Sequence, residues 1–238
     1  MIVIPAVDLR DGACVQLVGG DYSREAVRWP HATAAAAHWV AQGFTTLHVV
    51  DLDAATGRGE NQALAARIAA TPGVRATQMG GGVRDDAGIA VRLAAGAARV
   101  VVGTRALEDP DWLAAAAARH PGRIVVAADV RGLQVVTHGW QETHASSLEV
   151  VLAALQPLPL AAVLVTAVHR EGLLAGSDLA LFEQVLRNTR HPVQASGGIT
   201  TFDDVRALER LGIAAVVLGM SLYTGALDAR RLSQEYCS

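Results

Sequence analysis

Short apolar runs recur along the whole chain, separated by polar segments that have the spacing of helices. The runs are rich in β-branched residues and do not alternate with polar ones, which is typical of strands covered on both faces. They predict eight strands, at Ile2–Val7, Thr46–Val50, Arg75–Met79, Arg99–Val102, Ile124–Ala128, Ala162–Val165, Pro192–Ala195 and Ala214–Leu218.

The segments between these runs predict helices. One is expected to begin at Asp109, an acidic N-cap that is followed by Pro110 at the first helical position. Another is expected to begin near Ser146 and Ser147, and its apolar face carries Leu148, Val151, Leu152 and Leu155. Eight strands that alternate with about eight helices predict a parallel sheet, and this number favours a closed (β/α)8 TIM barrel. An open, doubly wound sheet is the alternative.

The sequence also repeats itself. The segment Gly81–Thr104 aligns without a gap on Gly197–Met220, at an offset of 116 residues, and four glycines coincide. Asp8 and Asp129 lie in similar stretches at nearly the same offset. We therefore expect a single barrel domain over residues 1–238, built from two duplicated half-barrels at approximately 1–120 and 121–238.

Composition and charge exclude several classes of protein. Hydrophobic residues make up 51% of the chain, enough for a large core, and the net charge of −3 gives no electrostatic reason to expect a nucleic-acid or membrane partner. Cys14 and Cys237 are too few for a disulfide framework, which favours a reducing compartment. There is no signal-peptide pattern, and two prolines break the longest apolar run, Pro157–Val168. We expect a cytoplasmic protein.

Glycines follow four of the predicted strands. A glycine lets backbone N–H groups approach an anion, and a helix that begins there adds its positive end. Glycines also serve simply to make tight turns, but two related pairs in one barrel favour two phosphate sites on opposite sides of the mouth. The substrate would then carry a phosphate at each end. The residues concerned are Gly81, Gly82, Gly103 and Thr104 in the first half and Gly197, Gly198 and Gly219 in the second.

Two acids stand where predicted strands 1 and 5 end. In a TIM barrel these ends face the active site, so Asp8 and Asp129 would lie across the mouth from each other. Such a pair can act as general base and general acid; the alternative is that each caps the loop that follows it. The histidines have no clustered ligand spacing, so no metal is expected, and His48, within a strand, is expected to be a hydrogen-bonded core residue.

Several motifs together resemble one family, the isomerases of histidine biosynthesis that act on the bis-phosphorylated intermediate phosphoribosylformimino-5-aminoimidazole carboxamide ribotide. The resemblance runs through nearly the whole chain. Its motifs are IPAVDLRDG (Ile4–Gly12), GGDY (Gly19–Tyr22), LHVVDLDAATG (Leu47–Gly57), GEN (Gly59–Asn61), GGGVR (Gly80–Arg84), GW (Gly139-Trp140) and SGGI (Ser196–Ile199).

The resemblance implies a cofactor-free Amadori rearrangement, in which an aminoaldose becomes an aminoketose. Asp8 would take the proton from sugar C2, and Asp129 would be the proton donor that helps to open the furanose ring. Thr166 would assist near this acid, and Trp140 would stack on the aminoimidazole. Gly19 and Arg84, within the matching motifs, would contact the substrate or its phosphates.

The sequence departs from the family pattern near the expected site. Gln16 stands where the family usually has a basic residue, and in the loop TAVHREG two aspartates are replaced, by Ala167 and Glu171. Glu171 keeps a carboxyl group, so it is a second possible proton donor. Gly19 and Gly20 make the segment Val18–Trp29 either a lid or an ordinary surface loop.

Three functions therefore stay open on the sequence. The first is the isomerase, working without a cofactor and expected to be a monomer. The second is a dual-substrate isomerase that also acts on phosphoribosylanthranilate. The third is a catalytically weakened barrel that only binds phosphorylated sugars. The related cyclase is disfavoured because it usually has Lys where Arg10 stands.

Overall fold

Eight parallel strands close into a barrel in the computed structural model, which describes residues 1–236. Cys237 lies outside the described residues. The strands, including those of two hairpins, are β1 (Ile2–Arg10), β2 (Ala13–Leu17), β3 (Glu25–Trp29), β4 (Thr46–Asp51), β5 (Ala76–Gly80), β6 (Arg99–Val102), β7 (Ile124–Arg131), β8 (Gln134–Thr137), β9 (Glu142–Ser147), β10 (Ala162–Ala167), β11 (Val193–Ser196) and β12 (Ala215–Leu218).

The barrel strands follow one another in the order β1-β4-β5-β6-β7-β10-β11-β12, and β12 pairs with β1 to close the ring. These two strands pair in parallel, with Ile2 opposite Ala215. Each predicted strand overlaps one of these eight, and the predicted TIM barrel is confirmed. In this ring β7 is the fifth strand, so it lies opposite β1.

Helices cover the outside of the barrel. They are α1 (Ala32–Gln42), α2 (Leu52–Thr56), α3 (Gln62–Ala69), α4 (Asp86–Ala94), α5 (Thr104–Glu108), α6 (Pro110–Arg119), α7 (Leu148–Leu155), α8 (Leu179–Asn188), α9 (Phe202–Leu211), α10 (Met220–Tyr223) and α11 (Ala229–Tyr236), with a 3-10 turn at Val168–Arg170. Both predicted N-termini are confirmed: Asp109 accepts from the Trp112 amide, 3.0 Å away, and Ser147 caps α7. No helix within residues 1–236 is long and apolar enough to cross a membrane.

Two hairpins extend the barrel at its mouth. The strands β2 and β3 follow β1, and β8 and β9 follow β7. The prediction that strands 1 and 5 end at Asp8 and Asp129 is therefore wrong, because pairing with the hairpins carries β1 on to Arg10 and β7 on to Arg131. The prediction of a loop over residues 18–29 is also wrong in part, since β3 occupies Glu25–Trp29.

The two halves of the barrel meet in a reciprocal pair of amides. Gln78 Nε2 donates to Gln194 Oε1 at 2.8 Å, and Gln194 Nε2 donates to Gln78 Oε1 at 3.0 Å, between positions 116 residues apart. His48 Nδ1 lies 2.8 Å from Gln78 Nε2, which confirms it as a hydrogen-bonded core histidine. The equivalent positions support the predicted duplication; a boundary near residue 120 stays a prediction.

The alternation of side chains along each strand explains why an apolar strand carries an acid. In β1, Ile4 and Ala6 belong to the small apolar cluster shared by the barrel strands, and Asp8 continues the same face by two residues. In β7, Val125, Ala127 and Asp129 share one face in the same way. Both acids therefore face inward, at the top of the barrel interior.

Candidate active site

A cavity of about 590 Å³ opens at the carboxyl ends of the barrel strands. It brings together most of the residues that the sequence predicted for the site, namely Asp8, Gly81, Gly82, Arg84, Gly103, Thr104, Asp129, Trp140, Thr166, Glu171 and Gly219. Gly197 and Gly198 line a small adjoining cavity that Glu171 and Gly219 also border. Gly19 is outside both linings, and its neighbour Gly20 lines the main cavity.

Asp8 is a partly buried carboxyl on the inner face of β1. Burial raises its pKa to about 7, and a hydrogen bond from Gln16 acts in the opposite direction. The donor, Gln16 Nε2, lies 3.3 Å from Asp8 Oδ2. A base whose pKa is close to the working pH is well suited to accepting and returning a proton, so this environment suits acid–base catalysis.

Asp129 faces Asp8 from the opposite strand and is held by two donors. Trp140 Nε1 donates to Asp129 Oδ2 at 2.8 Å, and Thr166, its register partner on β10, also hydrogen-bonds the carboxyl. Burial raises the pKa of Asp129, whereas both hydrogen bonds lower it. The carboxyl is therefore oriented from two sides before any substrate is present.

Glu171 brings a third carboxyl to the same cavity, from the loop after the 3-10 turn at Val168–Arg170. Its pKa is raised to about 7, first by burial and then by the charges of Asp8 and Asp129. Like charges in one poorly solvated site disfavour simultaneous ionisation. The cavity therefore holds exchangeable protons near neutral pH.

The two predicted glycine pairs have the same packing. Gly81 and Gly197 have φ of +91° and +96°, and an added Cβ would overlap the backbone at Asp51 and Ala167, which end the preceding strands. These contacts are themselves related by the offset of the repeat. Only glycine fits both this φ and this close approach of the backbone.

The loops after β6 and β12 complete the two halves of the mouth. Gly103 and Gly219 have similar backbone angles, with φ/ψ of −99°/−112° and −109°/−100°, and each precedes a short helix. Thr104 accepts a hydrogen bond from the backbone amide of His138, 3.0 Å away. Arg84 reaches back from the first glycine pair to the carbonyl of Ala54, at 3.2 Å.

Sequence reasoning missed several residues that line the cavity: Tyr22, Arg105, Glu108 and His138, with Gln16 noted only as a departure from the family. They come from the hairpins and from α5, where no apolar period marks a side chain as facing the mouth. His138, for example, has φ of +52° and lies between Glu108 and Glu142.

The chemistry available here is that of protons and anions. No group of three metal-ligating side chains is found in the part of the chain that the structure describes, residues 1–236. The cavity offers three carboxyls in its centre and glycine-rich loops at its sides. This arrangement can move protons within a molecule that is anchored at both ends.

The family model described as "histidine biosynthesis protein" matches residues 2–228. The chain belongs to the histidine biosynthesis protein family. The resemblance that the sequence motifs indicated is therefore confirmed at the level of the family.

Relatives within the histidine biosynthesis family cover almost the full length of the chain. Two proteins named 1-(5-phosphoribosyl)-5-((5-phosphoribosylamino)methylideneamino) imidazole-4-carboxamide isomerase are similar to it. The one from Gemmatimonas aurantiaca is 56% identical over 238 residues, and the one from Myxococcus xanthus is 51% identical over 236, with 99% of each chain covered. Phosphoribosyl isomerase A of Streptomyces griseus is 40% identical over 227 residues, covering 94% of this chain and 93% of its own.

Proposed function

We propose that this protein is an isomerase of histidine biosynthesis that converts the aminoaldose of its relatives' imidazole-4-carboxamide substrate into an aminoketose. One observation carries the proposal. Asp8 and Asp129 end up on the inner faces of opposite strands, in one cavity flanked by two equivalent glycine loops. This is the geometry needed for proton transfer in the middle of a molecule held by two phosphates. The relatives' names support the same reaction.

The reaction begins with opening of the sugar ring. A proton passes from Asp129 to the ring oxygen while the bond from that oxygen to C1 breaks, and the amine lone pair forms a C1–nitrogen double bond. Asp8 then takes the proton from C2. The electron pair of that C–H bond forms a C1–C2 double bond while the pair of the C1–nitrogen double bond returns to nitrogen, which gives an enol. Return of a proton to C1 and loss of the enol proton give the ketone at C2.

No external oxidant is needed, because C2 is oxidised as C1 is reduced within the same molecule. Each step transfers a proton that a carboxyl in the cavity can hold, since burial raises the pKa of Asp8 and of Glu171 to about 7. Positioned acids and bases of this kind typically contribute about 10²–10⁴-fold each. The roles of the individual residues are part of the proposal.

Substrate binding divides between the two halves of the mouth. The loops at Gly81-Gly82 and Gly103 would hold one phosphate, and those at Gly197-Gly198 and Gly219 the other. Arg84 adds a positive charge beside the first pair. Trp140 lines the cavity and would exchange its hydrogen bond to Asp129 for stacking on the aminoimidazole.

The first experiment is a steady-state assay of the purified protein with the imidazole-4-carboxamide substrate and, separately, with phosphoribosylanthranilate. We expect turnover of the first substrate. Turnover of both would assign the dual-substrate activity instead, and binding of phosphorylated sugars without turnover of either would contradict the proposal.

The expectation of a monomer in the cytoplasm belongs to this proposal. Light scattering of the purified protein at the concentration of the assay checks this, with a single-chain mass expected.

A further inference from the structure

Gln16 occupies a specific place beside the acids. It lies on β2, which pairs with β1 so that Asp8 is opposite Val15, and the pairing of β2 with β3 shifts between Gln16 and Leu17. Such an irregularity commonly redirects a side chain next to a site. The Gln16 side chain is only 4% exposed and lines the main cavity.

Its amide has one possible orientation. Gln16 Nε2 donates to the carbonyl oxygen of Val15 at 2.9 Å and to Asp8 Oδ2 at 3.3 Å. A peptide carbonyl accepts hydrogen bonds at any pH, so it holds the NH₂ group on this side whether Asp8 is ionised or not. Asp8 therefore always meets a donor, and a donor favours the carboxylate.

The other end of the amide lies on the second glycine loop. A Cβ placed on Gly219 would overlap Gln16 Oε1, so the amide fills the space that a side chain at Gly219 would need. Gly219 precedes α10 and borders both cavities. One buried side chain thus touches the proposed base and a loop proposed to hold a phosphate.

The hairpin that carries Gln16 is tied down at its turn. The Asp11 amide donates to Asp53 Oδ2 at 2.7 Å, and the Gly12 amide donates to Asn61 Oδ1 at 3.2 Å. Asp53 and Asn61 are themselves buried and bonded to each other at 2.8 Å. The position of Gln16 is therefore set by the barrel.

We propose that Gln16 is a positioning residue of the isomerisation, which holds the Asp8 carboxyl in place and links it to the loop at Gly219. The inference rests on the proposed function, because it needs Asp8 to act as the base. It also assigns a role to a residue that replaces the basic side chain usual in the family.

The other ionisable groups around Asp8 act in the opposite sense or stay neutral. The pKa values of Cys14, Tyr22 and Tyr223 are raised, so these three groups are neutral near pH 7. Glu171 interacts unfavourably with both Asp8 and Asp129 when the groups are ionised. Burial lowers the pKa of His48 to about 4, so its ring is neutral near pH 7. The donor from Gln16 therefore favours the Asp8 carboxylate, whereas burial and the charge of Glu171 disfavour it.

The test compares wild type with Gln16→Met, which keeps the length of the side chain and removes the donor, and with Gln16→Asn, which keeps an amide too short to reach. The exposed Gln62→Met is the matched control. Carboxyl carbons of ¹³C-labelled aspartate are titrated by NMR without ligand, and the signal of Asp8 is identified by its absence in Asp8→Asn. The pH profile of kcat/KM is measured in parallel.

We expect both Gln16 variants to move the Asp8 titration, and the acid limb of kcat/KM, upward by about one pH unit, which is the size expected for one hydrogen bond to a charged group. Gln62→Met should move neither. An unchanged Asp8 titration in whichever Gln16 variant folds would overturn the role of Gln16. Absence of turnover in wild type would instead refute the proposed function, and the NMR titration would still decide the contact.

Discussion

At the scale of the residue, burial and hydrogen bonding divide three carboxyls into different roles. Asp8 and Glu171 both have a pKa raised to about 7, mainly by burial. Asp129 is likewise partly buried, but two donors orient it and act against the rise of its pKa. A strand holds a catalytic group more precisely than a loop does, which favours Asp129 over Glu171 as the acid that opens the ring.

We predict that Asp129→Asn lowers kcat by at least about a hundredfold, the lower end for loss of a general acid. Glu171→Gln should lower kcat by a smaller factor, because the Glu171 carboxyl lies on a loop and is not held in position by a strand. The measurement is steady-state turnover at the pH optimum, with folding checked by circular dichroism.

Glu171→Asp is the informative control for this ranking, since it restores the residue usual in the family. The ranking is contradicted if Glu171→Asp raises turnover, or if Glu171→Gln is the more damaging of the two neutral replacements. In either case the proton donor lies on the loop after β10.

At the scale of the element, the strands were predictable and the hairpins were not. The eight barrel strands are apolar runs covered on both faces, which the sequence displays directly. In contrast, β9 reads Glu-Thr-His-Ala-Ser-Ser and β3 reads Glu-Ala-Val-Arg-Trp, so neither sequence alternates clearly between apolar and polar residues. The contact of Gln16 with Asp8 depends on β2 folding back on β1, and only the structure could reveal it.

The glycine loops give a prediction with an internal control. Gly197 and Gly212 have nearly the same φ, +96° and +97°, but an alanine at Gly197 would approach the carbonyl oxygen of Ala167 to 2.6 Å, whereas nothing lies within 4 Å at Gly212. Both alanines bear the cost of left-handed backbone, about 1–2 kcal/mol. Gly197→Ala should lose more free energy of unfolding than Gly212→Ala does. It should also raise KM at least about tenfold.

The measurements are the free energy of unfolding in urea and the KM of the isomerisation. Gly212→Ala should lose about 1 kcal/mol or slightly more and keep the wild-type KM. Equal KM values for the two variants would show that the loop at Gly197 does not hold the substrate.

At the scale of the whole molecule, the acids that suit catalysis work against folding. The pKa of Asp8 is about 7 in the folded chain and 3.8 in its ordinary environment. Between these values the folded state binds a proton that the unfolded state has released, so this contribution to stability falls as the pH rises. His48 acts in the opposite sense, because its pKa is lowered from 6.5 to about 4.

Comparing Asp8→Asn with wild type isolates the Asp8 contribution, since His48 is common to both. The variant should melt at about the same temperature as wild type near pH 4. At pH 8 it should melt at least about 3 °C higher, because each kcal/mol corresponds to about 2–4 °C for a chain of this size. Thermal unfolding followed by circular dichroism across this range is the check, and a difference that does not change with pH would contradict the assignment.

The duplication is the feature that let the sequence predict so much of the site. It placed the glycine loops and the two inward acids at equivalent positions, and the reciprocal bonds of Gln78 and Gln194 join such positions in the folded barrel. What it could not predict lies where the halves differ. Gln16 and His138 belong to hairpins whose contacts follow from tertiary packing, whereas Glu171 was predicted from the resemblance to the family and not from the repeat.

The most direct measurement follows the proton at sugar C2. The imidazole-4-carboxamide substrate is prepared with deuterium at C2, and release of deuterium to water is measured for wild type and for Asp8→Asn, with binding checked by calorimetry. Wild type should release deuterium as product forms, and Asp8→Asn should bind the substrate yet release deuterium at least about a hundredfold more slowly. Release at the wild-type rate by Asp8→Asn would contradict the assignment of Asp8 as the base.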